Sequence, residues 1–262
     1  MRIQELTCFG TGSGGGNPAL VVEDGPAGLA PRLALARERA LTCVFLDAPD
    51  VPGTAARLDY VYPHMRSPLC LHATLAAAKL LFARHGTAAP LTVTTAMRGQ
   101  RLVLSRDGEL VFVQLARQHT PQVALDTALA RRLLAAPSLQ LASSPRLASV
   151  GSPKLLLEVA DRATLHGLTP DLDAIAAWGR AHGVSGCYVW CRVGEQEYEG
   201  RNFNHLDPLL EDSATGVAAG ALTAALGHGL TLHQGRANGR ACLMHTMIEG
   251  DAVFVGGRAC AC

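Results

Sequence analysis

Two alanine-rich segments of this chain open with side chains that a plain core helix does not need. The first reads Ser67-Pro68-Leu69-Cys70-Leu71-His72-Ala73-Thr74 and continues through Leu75-Ala76-Ala77-Ala78. The second reads Glu211-Asp212-Ser213-Ala214-Thr215-Gly216-Val217-Ala218-Ala219. A thiol, an imidazole and carboxylates are groups that carry protons in catalysis. A helix N-terminus adds unpaired backbone N–H groups and a positive dipole end, which suit an anion such as a substrate carboxylate. Small residues at Ala73, Ala214 and Gly216 let backbone approach a ligand closely. Together these features suggest proton transfer at carbon in a small acid held by its carboxylate. Each residue also has a plain structural use. Asp212 and Ser213 fit helix N-caps, His72 a satisfied core imidazole, and Cys70 a small apolar filler.

The elements that would position these residues come in two copies. Gly16-Asn17-Pro18-Ala19-Leu20-Val21-Val22-Glu23 returns as Gly151-Ser152-Pro153-Lys154-Leu155-Leu156-Leu157-Glu158. Cys43-Val44-Phe45-Leu46 returns as the apolar strand Cys187-Tyr188-Val189-Trp190, and Ala73-Thr74 returns as Ala214-Thr215. The order is kept and the separation nearly constant, as a duplicated unit of about half the chain requires. Apolar periodicity predicts helices near 31–40, 73–85, 170–183 and 214–228, with a bridging helix near 125–136. Strands are expected at 91–96, 100–105, 109–115, 241–248 and 252–255, paired in mostly antiparallel or mixed sheets. The expected architecture is α+β, with pseudo-symmetric domains at 1–122 and 123–262, the last strand returning to the first. Both alanine-rich helices are expected to aim their N-termini into a cleft at the pseudo-twofold axis.

Composition narrows the function. The 262 residues carry a formal net charge of +1, with 48% hydrophobic and 17% charged residues. That is a globular protein with no field to draw nucleic acid or an anionic membrane. No apolar run approaches the roughly 20 residues of a membrane helix. The start, MRIQELTCFG, lacks the apolar core of a secretory signal, so a cytoplasmic location is expected. The eight cysteines show no CxxC or zinc-type spacing and are expected to be reduced, with Cys187 and Cys191 as apolar thiols on one strand face. Lysine occurs only at Lys79 and Lys154, in a helix and a strand, which argues against a pyridoxal Schiff base. Gly10-Thr11-Gly12-Ser13-Gly14-Gly15 matches a dinucleotide-binding fingerprint, but Asn17-Pro18 and β-branched residues follow where a helix is required. No cofactor and no metal are expected.

The motifs as a set resemble the phenazine-biosynthesis PhzF-like family, within the diaminopimelate epimerase fold superfamily. They are Gly16-Asn17-Pro18-Ala19, Leu69-Cys70-Leu71-His72-Ala73-Thr74 and Glu211-Asp212-Ser213-Ala214-Thr215-Gly216-Val217, with Gly235-Arg236 and Val255-Gly256-Gly257 near the end. The resemblance implies two domains, each a barrel-like sheet around a central helix, and a cofactor-independent isomerase or epimerase. It implies a homodimer as well. Departures accompany the matches. The glutamate that the family places after its first helix is absent from Ala40-Leu41-Thr42-Cys43-Val44-Phe45. Leu71 and Val217 stand where the family has glycine and serine.

The function expected is therefore cofactor-free movement of a proton at carbon of a small amino or hydroxy acid. Asp212 would be the general acid/base, His72 would polarise or relay, and Cys43 or Cys70 would be the second proton-transfer group. Asn17, Leu71, Ala73, Ser213, Gly216 and Val217 would contact the substrate. The rival is a PhzF-like protein that binds a small carboxylate without chemistry.

Overall fold

The alternation of apolar residues in the strands and the unbroken apolar surface of two helices build two units. The computed structural model describes residues 1–11, 15–204 and 211–261. One unit comprises Met1–Leu115 with Gly256–Cys262, the other Ala116–Val255.

The first unit runs β1 (Arg2–Cys8), β2 (Asn17–Glu23), α1 (Leu29–Arg39), β3 (Thr42–Asp47), β4 (Arg57–Val61), β5 (Arg66–Ser67), α2 (Leu71–His85), β6 (Leu91–Thr95), β7 (Arg101–Asp107) and β8 (Leu110–Ala116). The second runs α3 (Thr127–Leu133), β9 (Arg146–Ala148), β10 (Lys154–Glu158), α4 (Arg162–Gly167), α5 (Leu172–His182), β11 (Cys187–Gly194), β12 (Glu197–Phe203), β13 (Glu211–Asp212), α6 (Gly216–Leu226), β14 (Thr231–Gln234) and β15 (Cys242–Glu249). The last strand, β16 (Ala252–Ala261), belongs to the second unit up to Val255 and to the first from Gly256.

The two sheets have the same topology. In the first unit the order is β1-β2-β3-β4-β6-β7-β8, and in the second β9-β10-β11-β12-β14-β15-β16. β2–β3 and β4–β6 are parallel, as are their counterparts β10–β11 and β12–β14. β3–β4 and β11–β12 are antiparallel, and each middle strand carries a two-residue strand, β5 on β4 and β13 on β12. α2 and α6 follow these two short strands. In the first unit the end of β16 pairs with β1, from Leu6↔Ala261 to Cys8↔Ala259, and also neighbours β8, which closes an eight-strand barrel. The expectation of an α+β fold with mixed, largely antiparallel sheets is met.

The central helices explain their composition. Every residue of α2 from Leu71 to Ala78 is buried, and α6 is buried from Ala218 to Thr223. A helix buried all round needs small apolar side chains on every face. Both end on a left-handed glycine, Gly86 at φ 59° and Gly227 at φ 78°, which closes the last turn without a Cβ penalty.

Some elements differ from the sequence expectation. The helix expected near 125–136 forms only over Thr127–Leu133, because Asp126 caps it by accepting from Leu129 N (2.7 Å) and Ala135 turns to φ 50°. α4 was not expected; Asp161 starts it by accepting from Thr164 N at 2.8 Å. Gly12, Ser13 and Gly14 of the glycine-rich loop lie outside the described residues, and the element after that loop is strand β2. No helix among the described residues is long and apolar enough to cross a membrane.

Candidate active site

In the first unit the site residues gather where α2 begins. Cys70 is the N-cap, in extended conformation, and its side chain does not cap the helix. The thiol faces the imidazole instead, with Cys70 Sγ 3.3 Å from His72 Nδ1 and 3.8 Å from Nε2. Asn17, the first residue of β2, brings its Nδ2 to 3.5 Å from the same Nδ1. Thr74 Oγ1 donates to Cys70 O at 2.7 Å and accepts from Tyr60 Oη at 2.7 Å, which fixes the carbonyl that starts the helix. Burial pushes the His72 imidazole down to about 4, so the ring is neutral at pH 7. Among the described residues the N–H groups of Leu71, His72 and Ala73 have no hydrogen-bond partner, as expected at a helix start.

Cys43 does not join this group. It packs with Leu20, Val22, Leu35, Ala36, Phe45 and Val61 in an apolar cluster against α1. Burial pushes its thiol up to about 11, far from the thiolate form. Strand alternation puts Thr42 and Val44 on the other face of β3, the face of Tyr60, which reaches Thr74 on α2. The positions of β3 that look toward α2 thus carry a hydroxyl and a methyl pair.

In the second unit the equivalent place is the turn from β13 into α6. Thr215, the N-cap, donates from Oγ1 to Asp212 Oδ2 at 2.5 Å. Gln234 on β14 ties the turn down: its Nε2 donates to Asp212 O (2.7 Å) and Thr215 Oγ1 (3.2 Å), and its Oε1 accepts from Tyr188 Oη (3.1 Å). Tyr188 can reach it because Gly200 lies between; a Cβ there would stand 2.2 Å from the tyrosine oxygen. Asn238 Nδ2 donates to Ser213 Oγ at 3.1 Å. Gly216 and Val217 present backbone N–H groups without partners among the described residues.

The two adjacent carboxylates part company. Glu211 forms a bidentate pair with Arg201, at 3.0 and 2.8 Å, while Arg201 Nη1 donates to Leu165 O and Leu168 O. Glu211 is thus engaged as structure. Asp212, one residue on, falls on the opposite face, in register with Asn202. Cys187 and Cys191 lie in the apolar cluster of the second unit, and burial raises their thiols to about 12 and about 11.

Three residues on the face of Asp212 escaped the sequence reading: Lys154, Tyr188 and Asn202. They share the sheet face of Asp212, since Leu156, Tyr188, Asn202 and Asp212 are paired neighbours across β10 to β13 and Lys154 is two residues from Leu156. Lys154 is 1% exposed and Asn202 fully buried. The scarcity of lysine was the one available signal for Lys154.

Known proteins resemble this chain in sequence and in fold. Residues 6–262 match a family model described as phenazine biosynthesis-like protein. A protein of Deinococcus radiodurans named as an uncharacterized isomerase is 32% identical over 243 residues, 86% of this chain and 76% of that protein. The structure of a predicted epimerase from Pseudomonas aeruginosa superposes with a TM-score of 0.82 at 26% identity, over all of this chain and 96% of that one. A hydroxyproline epimerase from Agrobacterium vitis, with bound trans-4-hydroxy-L-proline, shares the fold: TM-score 0.59, 11% identity, 99% of this chain and 90% of that one.

Proposed function

The chain belongs to the phenazine biosynthesis-like (PhzF) family, and from that premise we propose that it is an isomerase that moves a proton at carbon of a small amino or hydroxy acid without a cofactor. One observation carries this. Two topologically equivalent helix starts each hold a proton-transfer group in place, a thiol–imidazole pair at Cys70 and His72 and a carboxylate at Asp212. Inversion at carbon needs one group to remove a proton and another to return one from the opposite face.

In this mechanism the substrate carboxylate accepts from backbone N–H groups that open a central helix. That contact also stabilises the negative charge developing on the adjacent carbon. Asp212 takes the proton from carbon, and its electron pair stays on the substrate as a carbanion. The Cys70 thiol gives its proton to that carbanion, and the neutral His72 ring shuttles a proton to reset the sulfur. Asp212 ends protonated and returns its proton to solvent. Cys70 is the thiol chosen, because Cys43 sits in the apolar cluster against α1.

One observation favours the non-catalytic rival: Thr42 and Val44, on the β3 face of Tyr60, carry no carboxylate. The two separate in a screen of amino and hydroxy acids incubated with the protein in D2O. Enzyme-dependent deuterium at a substrate carbon supports the isomerase. Binding without exchange across the panel supports the rival.

A further inference from the structure

Lys154 is a buried amine for which the fold alone has little use. Its side chain is 1% exposed. Nζ donates to Ser185 O at 2.5 Å, and among the described residues it makes no ion pair. A buried ammonium without a charge partner within salt-bridge reach is costly, so chains seldom keep one without a use. The residue lies on the same sheet face as Tyr188, Asn202 and Asp212.

The charged neighbours can be sorted. Burial pushes the lysine down to about 8, while Asp212 and Cys187 act in the opposite direction. Burial pushes the Cys187 thiol up to about 12, so it is neutral wherever the lysine titrates. Tyr188 is raised too, through burial and the charges of Asp212, Glu199 and Glu211, and stays a neutral phenol. Glu211 is paired with Arg201, and Glu199 with Arg162 and His166. α6 contributes no ionisable side chain. Asp212 is the carboxylate on the lysine's own sheet face, and it acts on the lysine against the effect of burial.

We propose that Lys154 is a positioning residue whose buried ammonium keeps the Asp212 carboxylate ionised, so that Asp212 begins turnover as a base. The role in turnover rests on the isomerase reading above; the coupling of the two charges does not, and is measured without a substrate.

The chain has only two lysines, which makes the measurement simple. In the full-length protein labelled with 13C,15N-lysine, Lys154→Arg leaves one lysine signal and so assigns the other. Lys154 is expected to titrate near 8. Asp212→Asn is expected to lower that midpoint by about one unit, and Cys187→Ala to leave it in place. Coupling is reciprocal, so Lys154→Met is expected to raise the titration midpoint of the Asp212 carboxyl carbon, and Lys154→Arg to restore it. The reciprocal experiment also decides the matter should Asp212→Asn fail to fold. An Asp212 midpoint unmoved by Lys154→Met, or a Lys154 midpoint unmoved by Asp212→Asn, overturns the proposal. With a substrate from the D2O screen, Lys154→Met is expected to shift the acid limb of the exchange profile upward and Lys154→Arg to keep it. An unshifted limb overturns the role in turnover and leaves the isomerase reading standing.

Discussion

Cys70 Sγ lies 3.3 Å from His72 Nδ1, at the first turn of a helix that is buried from Leu71 to Ala78. Cys70 is an N-cap whose side chain leaves the cap to face the ring. A thiol beside a neutral imidazole can pass its proton without first creating a charge in the interior. Cys70→Ser keeps the size and raises the acidity barrier, and is expected to slow deuterium exchange by about 10²-fold or more. A Cys70→Ser variant that exchanges at the parent rate removes the thiol from the mechanism and leaves His72 in its place.

Burial of His72 makes stability depend on pH. Its folded value is lowered to about 4, against 6.5 for the free side chain. Between these values the unfolded chain binds a proton that the folded one refuses. The contribution is therefore complete above pH 6.5 and is lost as pH falls toward 4, to an extent of about 3 kcal/mol. Denaturant titrations of the parent and of His72→Gln, at pH 4.5 and pH 7, are expected to show a steeper acid loss in the parent. Equal losses would mean that the imidazole is solvated in the fold.

The bond from Thr215 Oγ1 to Asp212 Oδ2 holds the carboxylate at the start of α6. Thr215→Val keeps the shape and removes the donor. In the proposed mechanism the substrate carboxylate meets backbone N–H groups, so the expected result is a loss of about 10-fold or more in turnover with little change in KM. A rise in KM at constant kcat would place Thr215 in binding.

Glu211 and Asp212 are adjacent carboxylates with opposite duties. Arg201→Met strips Glu211 of its bidentate partner and is expected to cost on the order of 3 kcal/mol in stability. Chemical denaturation of Arg201→Met measures this directly. A cost near zero would show the pair to be solvated.

Asn202 is fully buried, and among the described residues neither Nδ2 nor Oδ1 has a hydrogen-bond partner. Replacing it with leucine, of similar size, removes two unmet polar groups and is expected to stabilise the fold by about 1 kcal/mol or more. A lower melting temperature in Asn202→Leu would reveal a partner for the amide.

The fold was largely legible because its strongest signals are periodic. Alanine-rich α2 and α6, and the strands from Leu91 to Ala116, follow from residue type and spacing alone. The helix starts were legible for the same reason, since Cys70, His72 and Asp212 precede the two apolar runs. What could not be read was strand parity. A shift of one residue turns every side chain to the other face, and that single ambiguity decided three cases. It put Cys43 against α1 while Thr42 faces the other way. It separated Glu211 from Asp212. It brought Lys154 and Asn202, distant in sequence, onto one face with Asp212.

The proposed isomerase assigns proton transfer at carbon to Asp212 and to Cys70. The most direct measurement follows solvent deuterium into a substrate found in the D2O screen, with the parent, Asp212→Asn and Cys70→Ser side by side, each checked for native fold by circular dichroism. The expected result is a fall of about 10² to 10⁴-fold in both variants. Exchange at the parent rate in Asp212→Asn would contradict the account.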